Sequence, residues 1–458
     1  MRLSVSTLRR VFNRDLRIEF GSEKLTSYAG LEVVARFLRR IEFARRLREA
    51  FKGCPQGGDY GTKRLVMLVI GLLLVGGRRL EHLQYVASDP LFERFCELAR
   101  IPSARSVVNW LKSFTRRSLS ALARLNFGLV LDQIAALGLR RATIDLDGTV
   151  LRTGLQVAWA RRGYNPHHPK DPSYYPLLAH LAQTGQFLRV KNRPGNVNDA
   201  HGAVGVIGEI VGELRGRFGR KLLIEFRCDA AFFQAEILRL LSRLGCRYAI
   251  KVPLWRWLGL RPLIAANQRW SRVHAGIDAF EVMLPIVQWN LVQRVVVYRK
   301  RVHHDTAKNF QLDLFSPDDG TFEYSAVTTN QSLSARALWD FMSGRGAQEK
   351  AFSELKNDLA FDVIPTNHYA ANSAWQQLSI LAHNLMRAFQ LQTNLAFGKS
   401  RSRKRTAAYH LLTMKTLRFL LIARAGRLAR IGGRRLLRLT ANGATQSLYD
   451  RTTLALAA

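Results

Sequence analysis

Acidic residues are scarce in this chain. Against 70 Lys and Arg there are only 34 Asp and Glu, which leaves a formal charge of +36 and an isoelectric point near 11.1. Such an excess makes the folded chain repel itself, so a polyanionic partner is the natural explanation. Nucleic acid fits that partner better than an anionic membrane surface. Long apolar runs are also missing: the longest, Leu65 to Val75, is too short to span a bilayer and is flanked by Lys and Arg. It reads as a buried core helix, and no membrane partner is expected. Cysteine is rare. Cys54, Cys96, Cys228 and Cys246 have no metal-site spacing, which argues against a zinc site and a disulfide framework. The start, Met1-Arg-Leu-Ser, lacks the apolar stretch of a signal peptide, so a reducing cytoplasm is the expected location.

What is present is a folded chain. With 47% hydrophobic residues and only 13 Pro, the 458 residues can bury a large core in two or three domains. The organising stretch is Asp145-Leu-Asp147-Gly-Thr149, which closes the apolar run Ala142-Thr-Ile144. Alternation along a strand puts both carboxylates on one face, and the Gly-Thr break leaves Asp147 at its open end. A carboxylate there suits a hard cation such as Mg²⁺. The same letters open haloacid-dehalogenase-type phosphatases, where the first Asp is a nucleophile, and a solvated turn is the bland alternative.

Residues 1–138 read as a helical, DNA-binding domain. Leu31 to Ile41 carries apolar residues at helical spacing with Arg on the other face. Leu91–Ala99 and Ser106–Phe114 flank the break Arg100-Ile-Pro-Ser103, which resembles a helix-turn-helix and offers Arg105, Asn109 and Lys112 to DNA. Residues 139–395 change periodicity. A strand over Ala142–Leu146 precedes a hairpin around Gln183-Thr-Gly185, then a helix over Ala200–Leu214 and a strand over Lys221–Arg227, with Asp229 just past its end. A helix (Phe232–Leu244) and a strand (Arg247–Val252) follow. This order fits a mixed α/β sheet of the ribonuclease-H type. From about 253 to 323 a β-rich insertion is expected, including Val282–Val287, Leu291–Tyr298 and Leu312–Phe315. Helices resume over Ala335–Met342, Gln348–Asp358 and Ser373–Gln390. Residues 396–458 read as a basic helical tail, with Arg427, Arg430, Arg434, Arg435 and Arg438 among many cations and Asp450 as its lone acid. Phosphate contact suits it better than a membrane surface. There is no internal repeat.

A third acid decides between the readings. Arg345, Glu349 and Lys356 are spaced four and seven residues apart on an expected helix, so Glu349 and Lys356 share a face. Taken with Asp147-Gly-Thr, Gly163-Tyr-Asn-Pro, Tyr175-Pro-Leu, Arg193-Pro-Gly-Asn196 and Arg227-Cys-Asp229-Ala-Ala-Phe, this pattern resembles the DDE transposases of bacterial insertion sequences. The match is to the group 1 branch (the IS-thirteen-eighty family, related to piggyBac), with the motifs in order over about residues 20 to 395.

The resemblance implies a ribonuclease-H-like core interrupted by a β insertion before the last acid. It implies that Asp147, Asp229 and Glu349 are catalytic and hold two divalent ions, Mg²⁺ with Mn²⁺ as substitute, while Arg345 and Lys356 hold phosphates. It implies cut-and-paste DNA transposition: binding of terminal inverted repeats, metal-dependent strand cleavage, and transfer to target DNA by a homodimer on DNA. Related transposases carry a Tyr three residues before the Arg, where this chain has Met342. The alternatives are a silent DNA binder or another nuclease of this fold, and the phosphatase. The last would need a paired-Asp motif after a later strand and a Lys. Lys251 could serve, but Asp318-Asp319 sits in a Pro/Gly turn.

Overall fold

The computed structural model describes residues 18–457 except 55, 57, 155, 166–167, 303–321 and 399–407. It is mixed α/β, built on two large hydrophobic cores. The expected strand Leu312–Phe315 and the Asp318-Asp319 turn lie outside the described residues. Among the described residues no helix is long and apolar enough to cross a membrane.

The N-terminal region opens with a short strand, β1 (Leu25–Thr26), and continues through α1 (Leu31–Arg40), α2 (Phe43–Ala50), α3 (Gly61–Leu74), α4 (Pro90–Cys96), α5 (Ala104–Lys112) and α6 (Arg116–Ala136). The apolar run read as a core helix is α3, buried continuously from Leu65 to Leu74. Starts are set by local chemistry. Asp89 accepts from the backbone N–H groups of Leu91 and Phe92 ahead of Pro90, and Thr115 with Ser118 forms a capping box at α6.

The region that follows holds one sheet of nine strands. β2 (Arg141–Gly148), β3 (Leu177–Leu181), β4 (Gln186–Lys191), β5 (Leu223–Cys228) and β6 (Arg247–Val252) form one half, with α7 (Ala203–Phe218) and α8 (Ala235–Arg243) between the later strands. β7 (Ser271–His274), β8 (Ile277–Ile286), β9 (Leu291–Arg301) and β10 (Phe322–Thr329) form the other. The spatial order is β4-β3-β2-β5-β6-β10-β9-β8-β7. β2, β5 and β6 run parallel, while β3 and β10 are antiparallel to their neighbours. The β-rich stretch expected near 253–323 therefore extends the main sheet, because β10 pairs directly with β6.

After α9 (Ala335–Ser343) and α10 (Gly346–Leu359), the long α11 (Tyr369–Gln392) runs through the first core and is buried along most of its length. Asn384 on α11 accepts from the Phe187 backbone N–H at 2.8 Å and donates to the Phe187 carbonyl at 2.7 Å, which pairs the backbone of Phe187 on the edge strand β4.

The C-terminal tail differs from the helix expected of it. It forms a hairpin, β11 (Gly426–Ile431) and β12 (Arg434–Leu439), before α12 (Gly443–Ala457). The reason is local: Gly432 and Gly433 take φ of +55° and +76°, the left-handed pair that a two-residue hairpin turn requires. The segment is also woven into the N-terminal region, since β1 pairs with β11. A Cβ on Gly30 would fall 2.1 Å from the Leu421 carbonyl oxygen, so only glycine permits that backbone approach.

Candidate active site

Strand register builds the site in two rungs. Asp145 on β2 lies opposite His180 on β3 and Arg227 on β5. In this lower rung Arg227 donates Nε to Asp145 Oδ1 at 2.6 Å and Nη2 to Oδ2 at 2.8 Å, and His180 Nδ1 lies 3.3 Å from Oδ2. Asp145 and Arg227 are both fully buried. Burial pushes the Asp145 carboxyl up, but Arg227 and His180 outweigh it and hold the group below the usual carboxylate range. The remaining Arg227 Nη1 donates to the Phe341 carbonyl at 2.7 Å, tying the sheet to α9.

Two residues further along, the same faces carry Asp147, Asp229 and Lys251. Asp147 Oδ1 accepts from the Gly148 N–H at 2.9 Å, and Asp229 Oδ1 accepts from the Ala230 N–H at 2.7 Å. Their Oδ2 atoms share one cation: Arg345 donates Nη2 to Asp147 at 2.7 Å and Nη1 to Asp229 at 3.1 Å. Lys251 Nζ stands 3.5 Å from Asp229. Arg345 comes from the break between α9 and α10, immediately before the first helical residue of α10. Burial pushes the Asp147 carboxyl up to about 6; Arg345 opposes this, and the carboxylates of Asp199 and Asp229 add to it.

Asp199 reaches the site through a loop that Arg193 holds by donating to the carbonyls of Tyr175, Asp199 and His201. The Tyr175 phenol is pushed up by burial and by the neighbouring Asp199 carboxylate. A Cβ on Gly148 would lie 2.5 Å from Asp199 Oδ1 and 2.7 Å from Tyr175 Cζ, so this glycine is fixed by close approach.

Glu349 sits one turn into α10, exposed, on a cleft of about 380 Å³ that it lines with Lys251, Tyr298, Trp339, Met342 and Arg345. It shares that side of the site with Arg345 and Lys251. It does not close on Asp147 and Asp229: among the described residues no three acid, His or Cys side chains converge as a cation cage.

The family described as Transposase DDE domain group 1 matches residues 8–458. The chain belongs to this transposase family. No curated protein matches it. Among solved structures it is similar to the cryo-EM structure of the piggyBac transposase synaptic complex with hairpin DNA, at 13% identity and a TM-score of 0.42, over 78% of this chain and 70% of that one.

The remaining residues picked out in the sequence of this transposase lie in two places. Lys356 is half-buried and donates to the Val150 carbonyl at 3.2 Å, bracing the turn after Asp147. Arg105, Asn109 and Lys112 are all exposed on one face of α5, whose other face buries Val107, Trp110 and Leu111. Sequence reasoning missed the roles of Arg227, His180 and Asp199. The first two have no local signal, because they meet Asp145 only through pairing of separate strands. The donor set at the open rung fits a divalent ion, since two carboxylate oxygens already face one shared cation position.

Proposed function

We propose that this transposase belongs to an insertion sequence, binds the element's terminal inverted repeats, and catalyses divalent-metal-dependent strand cleavage and strand transfer on a ribonuclease-H-like core. The observation that carries this reading is the pair Asp147 and Asp229, set at the ends of adjacent parallel strands with their Oδ2 oxygens on one arginine. Asp147, Asp229 and Glu349 would hold Mg²⁺ or Mn²⁺, and two such ions would supply charge stabilisation for phosphodiester cleavage. Arg345 keeps the two Asp carboxylates in register, and with a divalent ion bound to them its guanidinium would be free for a phosphate. Lys356 fixes the backbone that follows Asp147. Arg105, Asn109 and Lys112 contact DNA from α5.

Two element ends must be joined to one target, and each chain shows one such acid set among its described residues, so the working form is at least a dimer on DNA. Charge of +36 per chain keeps the free protein apart until DNA screens it. Light scattering with and without a duplex carrying the element end tests this; joining of both ends by a complex of one protein and one duplex would refute it.

The central test is cleavage by the purified protein. Asp147→Ala, Asp229→Ala and Glu349→Ala should each reduce Mg²⁺-dependent nicking of an end-bearing duplex to background while retaining DNA binding. Undiminished cleavage by any one of them removes that residue from the assignment.

A further inference from the structure

The C-terminal hairpin sets like charges directly opposite each other. Arg427 pairs with Arg438 on one face of β11 and β12, and Arg430 with Arg435 on the opposite face beside Leu428 and Leu437, a register that destabilises an isolated hairpin. Alternation sorts the side chains. Leu428 and Leu437 face inward and pack on the first core, while Arg427, Arg434 and Arg438 face outward with Ile431 and Leu436. Those two apolar side chains are 50% and 44% exposed. Among the described residues, Arg427 alone of these arginines meets a carboxylate, Glu23 at 3.1 Å.

A lone cation on β12 would need no ligand, because charged residues on a free edge strand block pairing with other chains. That does not explain Arg427 set opposite Arg438 across the β11–β12 ladder, with Glu23 meeting Arg427 alone and Arg434 on the same face. A ligand with closely and regularly spaced anions does, since it turns mutual repulsion into shared attraction. A two-stranded ribbon also matches the width of the DNA major groove.

We infer that the β11–β12 hairpin is a sequence-independent arm that grips the phosphodiester backbone of duplex DNA through Arg427, Arg434 and Arg438. The inference rests on the proposed DNA transposition, but not on which acids hold metal. Arginine suits the task because its planar donors take phosphate oxygens two at a time. Ile431 and Leu436 face the groove between the two phosphate rows.

The test uses the full chain with Arg427→Gln, Arg434→Gln and Arg438→Gln combined, and a duplex of scrambled sequence. Affinity should fall about tenfold or more at moderate salt. The slope of log K against log salt should shrink by about 2 to 3, because each phosphate that an arginine neutralises adds about 0.9 to it. The melting temperature should hold or rise, because the Gln variant removes repulsion. The matching Arg→Lys variant keeps the charge and should retain most of the binding. If the triple Gln variant fails to fold, Arg434→Gln with Arg438→Gln, confined to the edge strand, carries the same expectation at smaller size. Unchanged affinity and slope in a folded variant would overturn the inference. So would tighter binding of the wild-type chain to anionic phospholipid vesicles than to duplex with the same arginine dependence. Cleavage by Asp147→Ala would remove the metal assignment and leave the hairpin result standing.

Discussion

Asp145 and Asp147 sit two residues apart on one face of one strand, yet the fold gives them opposite tasks. Asp145 is sealed under the sheet with a bidentate arginine, and no solvent or substrate reaches it. Asp147 shares a partly buried cation with Asp229 at the open end of the strand. The lesson is that an acid's role follows from what lies across the neighbouring strands. The lower rung ties β2, β3 and β5 together beneath the arginine that the upper rung shares.

Breaking the lower rung should have the largest effect on folding. Asp145→Ala leaves Arg227 buried and unpaired, which should cost about 3–5 kcal/mol, a large share of a typical total stability of about 5–15 kcal/mol. Asp147→Ala removes a carboxylate crowded by two others and should cost less than about 1 kcal/mol. Urea denaturation of the two variants side by side checks the comparison, and equal losses would erase it.

Metal sharpens the contrast. Magnesium at about 100 times its dissociation constant should stabilise the wild-type chain by about 2.7 kcal/mol. The gain should vanish in Asp147→Asn and Asp229→Asn, as read by thermal denaturation with and without chelator. If both variants keep the full gain, the ion binds elsewhere.

The smallest effect concerns pH, and its sign differs between the rungs. Asp145 is held below the usual carboxylate range, so its contribution is present above about pH 3.9 and is lost as pH falls through its lower folded value. Asp147 is raised to about 6, so its contribution is full below the ordinary carboxylate pKa and is lost as pH rises through about 6. Between about pH 5 and about pH 7.5 the wild-type chain should therefore lose more stability than Asp147→Asn. Identical pH profiles of the denaturation midpoint would show that Asp147 titrates as an ordinary exposed acid.

Much of the sheet could be read in the residues. The strand Arg247–Val252 has the bounds expected of it, and Asp229 falls one residue beyond β5 as the apolar run implied. The C-terminal hairpin could have been read too. Gly432-Gly433 between two short runs rich in Leu, Ile and Arg is a hairpin signal, which the density of arginine masked as a helical face.

Sequence by itself determined which face each acid takes, because strand and helix periods are local properties of the backbone. It also determined the overall charge and hence the class of partner. Only the tertiary structure decided which cation each acid meets. Arg227 lies 82 residues from Asp145, and Arg345 lies 198 residues from Asp147. No local pattern encodes such distances. Strand order and the crossing of α9 and α10 over the sheet bring the charges together, so a buried brace and an open cation site arise from the same two-residue repeat.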